Sequence, residues 1–138
     1  MKLQTSPLTA GGDQFLEAFC FSTDAVGDVV YVMGNKVGTR YQVTKVNINN
    51  ITHIPAIGVI FAKPSATTCL VQTAGVLRSV YTGRTPQKPQ FISLTSTLQE
   101  TPPVAPTSGR RAVQIIALAL STEDLLIHVK SPIILVPT

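Results

Sequence analysis

The sequence predicts an all-β protein: a single compact β-barrel or β-sandwich with an extended N-terminal arm. Three observations carry that reading. Short runs of β-branched and aromatic residues recur roughly every 8–12 residues between turn residues. Ten prolines and nine glycines punctuate the 138 residues, which leaves little room for uninterrupted helix. No apolar pattern of helical period runs long enough to outweigh them. A chain of this length makes one domain, so residues 1–12 are read as the arm and residues 13–138 as the β domain.

The elements follow in order. Residues 1–12 are polar and interrupted by Pro7 and Gly11-Gly12, the composition of an extended arm. From Asp13, strand is favoured over helix, because β-formers follow at once and no helix cap is evident. Phe15, Glu17, Phe19 and Phe21 then share one strand face. Gly27-Asp28 opens a strand at Val29–Met33. Gly34-Asn35-Lys36 reads as a hairpin turn into Val37–Val46, with Thr39, Tyr41 and Val43 on one face and Arg40, Gln42 and Thr44 on the other. Asn47–Asn50 is a polar loop. Ala56–Ala62 is a strand ended by a turn at Lys63-Pro64-Ser65. Thr67–Gln72 and Val76–Thr82 flank Ala74-Gly75, a second hairpin signal.

Gly83–Pro89 carries two prolines and reads as loop, and Phe91–Leu94 as a short strand. Thr101–Gly109, with three prolines, is the longest expected loop and the segment best placed to touch a partner. Ala112–Leu120 is nearly all apolar and is expected to be buried on both faces. Leu125–Val129 alternates, with Ile127 inward and His128 and Lys130 outward. Ile133–Val136 closes the chain.

Charge narrows the function. Only 13% of residues are charged, about half the usual share for a soluble domain, while 44% are hydrophobic. A surface this poor in charge is covered by Ser, Thr, Gln and Asn or by other protein. The net charge is +4, but the basic residues are scattered, with only Arg110-Arg111 adjacent. No basic–aromatic interleaving of the kind that stacks bases is present, so nucleic acid is not an expected partner. The longest apolar run falls far short of the roughly 20 residues that span a bilayer. No apolar segment typical of a secretory signal precedes Gly11. No membrane association is expected.

No catalytic motif stands out. His53 lies at a loop edge and reads as structural or solvent-facing, and His128 as solvated. Asp24, Asp28 and Glu123-Asp124 sit beside turns, where carboxylates cap backbone N–H groups. Nucleotide-binding glycine loops, a nucleophile elbow and a zinc-helix motif are all missing. The expectation is a non-enzyme without cofactor or metal. Cys20 and Cys69 lack metal-ligand spacing and read as buried unpaired thiols of a reducing compartment. A disulfide formed later, within or between chains, is the alternative.

Several segments together carry a family resemblance. They are Phe19-Cys20 with Val26–Val32, Ala56–Ile60 with Lys63-Pro64, Ala66–Gln72 with Gly75-Val76-Leu77, and Tyr81-Thr82-Gly83. Phe91-Ile92-Ser93, Leu98, Pro102-Pro103, Val113-Gln114 and Ala119-Leu120-Ser121 continue the series. In this order, over residues 19–136, the chain resembles small virion proteins of tailed bacteriophages, in particular capsid decoration (cement) proteins. It departs from that pattern at Gly83-Arg84-Thr85-Pro86-Gln87, where relatives tend to read Gly-Leu-x-Pro-Gly, and at Leu94–Thr97.

The resemblance implies a protein made in the host cytoplasm that binds the outer surface of the mature phage head and stabilises it. The implied partners are the major capsid protein and copies of itself, with a trimer favoured. Tail, neck, collar and fibre proteins carry similar modules and remain an alternative, as does a carbohydrate-binding module. The scarcity of aromatic residues speaks against sugar binding. Candidate contact residues are Lys2, Leu3, Gln4 and Leu8 in the arm, Arg84 and Lys88 in one loop, and Arg110 and Arg111 at the end of another.

Overall fold

The computed structural model describes residues 13–137. The first five strands are β1 (Gln14–Phe19), β2 (Val29–Val32), β3 (Tyr41–Lys45), β4 (Gly58–Ser65) and β5 (Thr68–Arg78). They join in the order β1-β3-β2-β4-β5, and β1 also pairs with β5, which closes a five-stranded barrel. The β1–β3 contact is parallel; the other pairings in the barrel are antiparallel.

Barrel size decides which face of β1 turns inward. Five strands leave a narrow interior, and Ala18, Cys20, Val30, Val43, Ile60, Cys69 and Val71 fill it. The small side chains of Ala18 and Cys20 fit there. The opposite face of β1 carries Phe15, Glu17 and Phe19, and Phe15 lies outside against Phe61 with ring centroids 4.7 Å apart. The aromatic face of that strand is therefore the outer one.

The sheet continues beyond the barrel. The five C-terminal residues of β5, Ala74–Arg78, pair with β10 (Asp124–His128), so β5 belongs both to the barrel and to the extension. Four further strands lie between β5 and β10 in the chain: β6 (Pro89–Ile92), β7 (Leu98–Gln99), β8 (Arg111–Val113) and β9 (Ile115–Ala119). From β5 the extension runs β10-β9-β6-β7, and the Tyr81 hydroxyl and the Arg84 side chain bond the Leu98 N–H and carbonyl of β7. The last strand, β11 (Ile133–Leu135), pairs with β8 in a separate two-stranded ribbon. A larger core beneath the extension includes Val29, Leu77, Ile92, Ile116, Leu125 and Ile127. No helix among the described residues is long and apolar enough to cross a membrane, and the only helical piece there is a 3-10 turn at Ile51–His53.

Several sequence expectations change. Ala74-Gly75 is not a hairpin, because Thr68–Arg78 is one continuous strand. Gly75 holds φ +90°, and Asp13 lies so close that a Cβ there would collide with it. The Asp13 carboxylate accepts from Val76 N–H at 3.0 Å, and the Gln72 side chain donates to the Ala74 carbonyl at 3.1 Å. The glycine is thus an irregularity inside a strand. Gly75→Ala is expected to lower stability by roughly 1–2 kcal/mol from its left-handed backbone alone, with the Asp13 collision added. Urea denaturation measures this, and an unchanged midpoint would contradict it.

The turn after β4 falls at Ala66-Thr67, not at Lys63-Pro64-Ser65. The β4–β5 register shifts between Ala62 and Ser65, and that irregularity accommodates Pro64, which has no N–H to donate. The expected strand Val37–Val46 shortens to Tyr41–Lys45, with Val37 and Arg40 forming an isolated bridge. Ala112–Leu120 is not one strand buried on both faces. It breaks at Gln114 into β8 and β9, which lie in different sheets, and Leu118 and Leu120 are exposed. The pattern Ile127 inward, His128 outward is as expected.

Candidate contact surface

The sequence candidates fall into three groups. Lys2, Leu3, Gln4 and Leu8 lie outside the described residues. Arg84 and Lys88 belong to the loop between β5 and β6, and Arg110 and Arg111 to the entry of β8.

Arg84 is committed to the interior of its loop. Its guanidinium lies over the Tyr81 ring at 4.7 Å and donates to Gln90 Oε1 at 3.1 Å and to the Leu98 carbonyl at 3.2 Å. Gln90, fully buried, donates in turn to the Lys88 carbonyl and to Glu100 Oε2, both at 3.1 Å. Glu100 also accepts from the Thr85 backbone N–H at 2.7 Å and from the Thr85 hydroxyl at 3.0 Å. These bonds strap the proline-containing loop onto β6 and β7. Lys88 remains exposed. Of this pair, only Lys88 stays available to a partner.

The Thr85 N–H, with the Gln90 amide, holds the Glu100 carboxyl below its ordinary value. A carboxyl lowered on folding stabilises above its unfolded pKa of 4.5 and loses that contribution as pH falls through the folded value. Glu100→Gln is expected to speed hydrogen exchange at the Thr85 amide while barely moving global unfolding. Unchanged exchange would show that the strap does not depend on the charge.

Arg110 and Arg111 stand differently. Arg110 is exposed. Arg111 donates from Nε to Asn49 Oδ1 at 2.8 Å and from Nη1 to the Val104 carbonyl at 2.9 Å. Both border a cavity of about 320 Å³ that Asn49, Thr107 and Ser108 also line. On its other side Arg111 borders a second cavity, of about 350 Å³, walled by Leu94, Pro102, Pro103 and Val104. Leu94 is 58% exposed and Val104 74%. The sequence reading did not single out Leu94, Val104 or Asn49. For Val104 the available signal was an apolar residue inside a polar, proline-rich loop, where no core position explains it.

Five other titratable groups are tied into the fold. His53 stacks on Tyr31 with centroids 4.3 Å apart, and its Nδ1 accepts from Asn47 N–H at 3.2 Å. Asp24 is buried and accepts from Phe21 N–H at 2.8 Å, Thr44 Oγ1 at 3.0 Å and Lys45 N–H at 3.2 Å. Asp28 accepts from Ala25 N–H at 2.9 Å, and burial raises its pKa. Cys20 and Cys69 are both buried, unbridged and adjacent inside the barrel. Burial, then the neighbouring Cys20 thiol, pushes Cys69 up to about 12. Among the described residues, no three His, Cys, Asp or Glu side chains group so as to hold a metal ion.

Fold and surface together define an all-β protein: a closed five-stranded barrel with a sheet extension and a groove beside Arg111. Comparison of the chain with protein-family models, with curated proteins and with solved structures finds no match.

Proposed function

We propose that this chain is a non-catalytic structural protein of a tailed-phage particle, a decoration protein that binds the outer surface of the mature head. The supporting observation is a closed five-stranded barrel in a charge-poor chain whose surface carries exposed apolar side chains. A protein that acts by sealing seams between shell subunits needs a rigid frame and surfaces that lose their water only on docking. The resemblance to cement proteins points the same way. The partners are the major capsid protein and further copies of the chain, as a trimer.

Stabilisation follows from linkage. Contacts made only in the assembled shell lower its free energy and leave the disassembled subunits unaffected. Particles assembled without the chain are expected to release their DNA at a lower temperature than complete ones, and purified protein should restore the difference. Removing residues 1–12 is expected to weaken this rescue while leaving barrel unfolding unchanged. Equal heat resistance with and without the chain would defeat the stabilising role.

A further inference from the structure

The two cavities beside Arg111 differ in chemistry and share that residue as a common wall. One side is apolar, with Leu94 and Val104 prominent and the outer strand β7 contributing Gln99. The other is polar, with Asn49, Ser108 and Arg110. Among the described residues the ion pairs are Arg40 with Glu17 and Arg78 with Asp13, so neither Arg110 nor Arg111 meets a carboxylate. The bonds of Arg111 go to neutral oxygens, and a guanidinium has five N–H donors with a geometry that matches a carboxylate. The positive charge at the groove is therefore uncompensated within the described fold.

We infer that this groove binds an extended segment of another protein, one that presents an apolar side chain next to acidic residues. The apolar side chain occupies the cavity between Leu94 and Val104. The carboxylates lie over Arg110 and Arg111. Charge complementarity selects this occupant over a second copy docked through this same face, which would bring the same two arginines to the contact. It also selects peptide over nucleic acid, because no aromatic side chain lines either cavity to stack a base. The inference deepens the proposed docking role by giving the chemistry of the partner, and it rests on that role only for where such a segment would come from.

The test uses the full-length, nitrogen-15-labelled protein and three probes. They are the synthetic peptide acetyl-Val-Leu-Pro-Glu-Asp-amide, its counterpart ending in Lys-Lys-amide, and inorganic phosphate. Saturable amide shifts confined to Leu94–Thr95, Val104 and Arg110–Ala112 are expected with the acidic peptide only. Arg110→Glu and Val104→Asp should each weaken binding about tenfold or more; both residues are exposed, so the variants should fold. Equal shifts with the lysine peptide, full competition by phosphate, shifts elsewhere or none at millimolar peptide would each overturn the inference. Self-association through these same amides without peptide would overturn it in favour of a second copy. Because no particle is involved, this result is independent of whether the chain is found on phage heads.

Discussion

Replacing Gln114 with leucine is expected to cost the fold roughly 3–9 kcal/mol. The residue is 1% exposed, and its amide makes three hydrogen bonds. Oε1 accepts from Ala56 N–H at 3.0 Å, while Nε2 donates to the Ala56 carbonyl at 3.3 Å and the Lys130 carbonyl at 2.8 Å. Leucine preserves the volume but strands all three backbone groups, each orphan costing about 1–3 kcal/mol when buried. Because a small domain is stable by only about 5–15 kcal/mol, the variant should unfold at markedly lower urea. The position has a second consequence. Gln114 stands between β8 and β9, where the chain leaves the β8–β11 ribbon for the main sheet. Amide exchange in Arg111–Val113 should rise more than in the barrel strands. A stability loss below about 1 kcal/mol would mean that these backbone groups find other partners.

The second large effect is alkaline. Burial pushes Cys69 up from an ordinary value of 9.0 to about 12, and Tyr81 up from 10.0 to about 12. The Tyr81 hydroxyl is buried between the Gly27 carbonyl, to which it donates, and the Leu98 N–H, from which it accepts at 3.0 Å. Both groups hold their protons more tightly folded than unfolded. Their contribution is therefore complete below pH 9 and lost as pH rises toward 12. A tenfold change in proton affinity corresponds to about 1.4 kcal/mol, so the loss from both groups grows as pH rises from 9 toward 12. Urea unfolding between pH 8 and 11 should show a steep decline. A Cys20→Ala/Cys69→Ala variant should have a shallower slope, whatever its stability at neutral pH. An identical slope would remove the thiols from the explanation.

What the sequence made visible was mostly period. Leu125–Val129 announces its inward and outward faces by alternation, and the turn residues around Val29–Val32 and Ile133–Leu135 mark those strands. What it hid were positions where one residue type serves two geometries. Glycine at position 75 suits a hairpin turn and a bulged strand equally, and only the approach of Asp13 decides between them. Proline at 64 looks like a turn but sits in an irregular stretch of β4. Gln114 interrupts an apolar run, and nothing local reveals that its amide answers backbone groups at Ala56 and Lys130.

The contact surface was legible in the same uneven way. Arg110-Arg111 drew notice as the one adjacent basic pair in the chain. Arg84 looked equally available, yet long-range bonds to Gln90 and Leu98 turn it inward. Leu94 was read as the end of a short strand and Val104 was not named within the Thr101–Gly109 loop, and the groove exists only once β7, the 101–110 loop and β8 meet.

The most direct test of the proposed role is to label this protein with a specific antibody on intact particles from the infection that produces it, and to image them by electron microscopy. Label distributed over the head is the expected result. Label confined to tail, neck or fibres would contradict head decoration while keeping a structural role in the virion, and unlabelled particles would contradict the virion assignment itself.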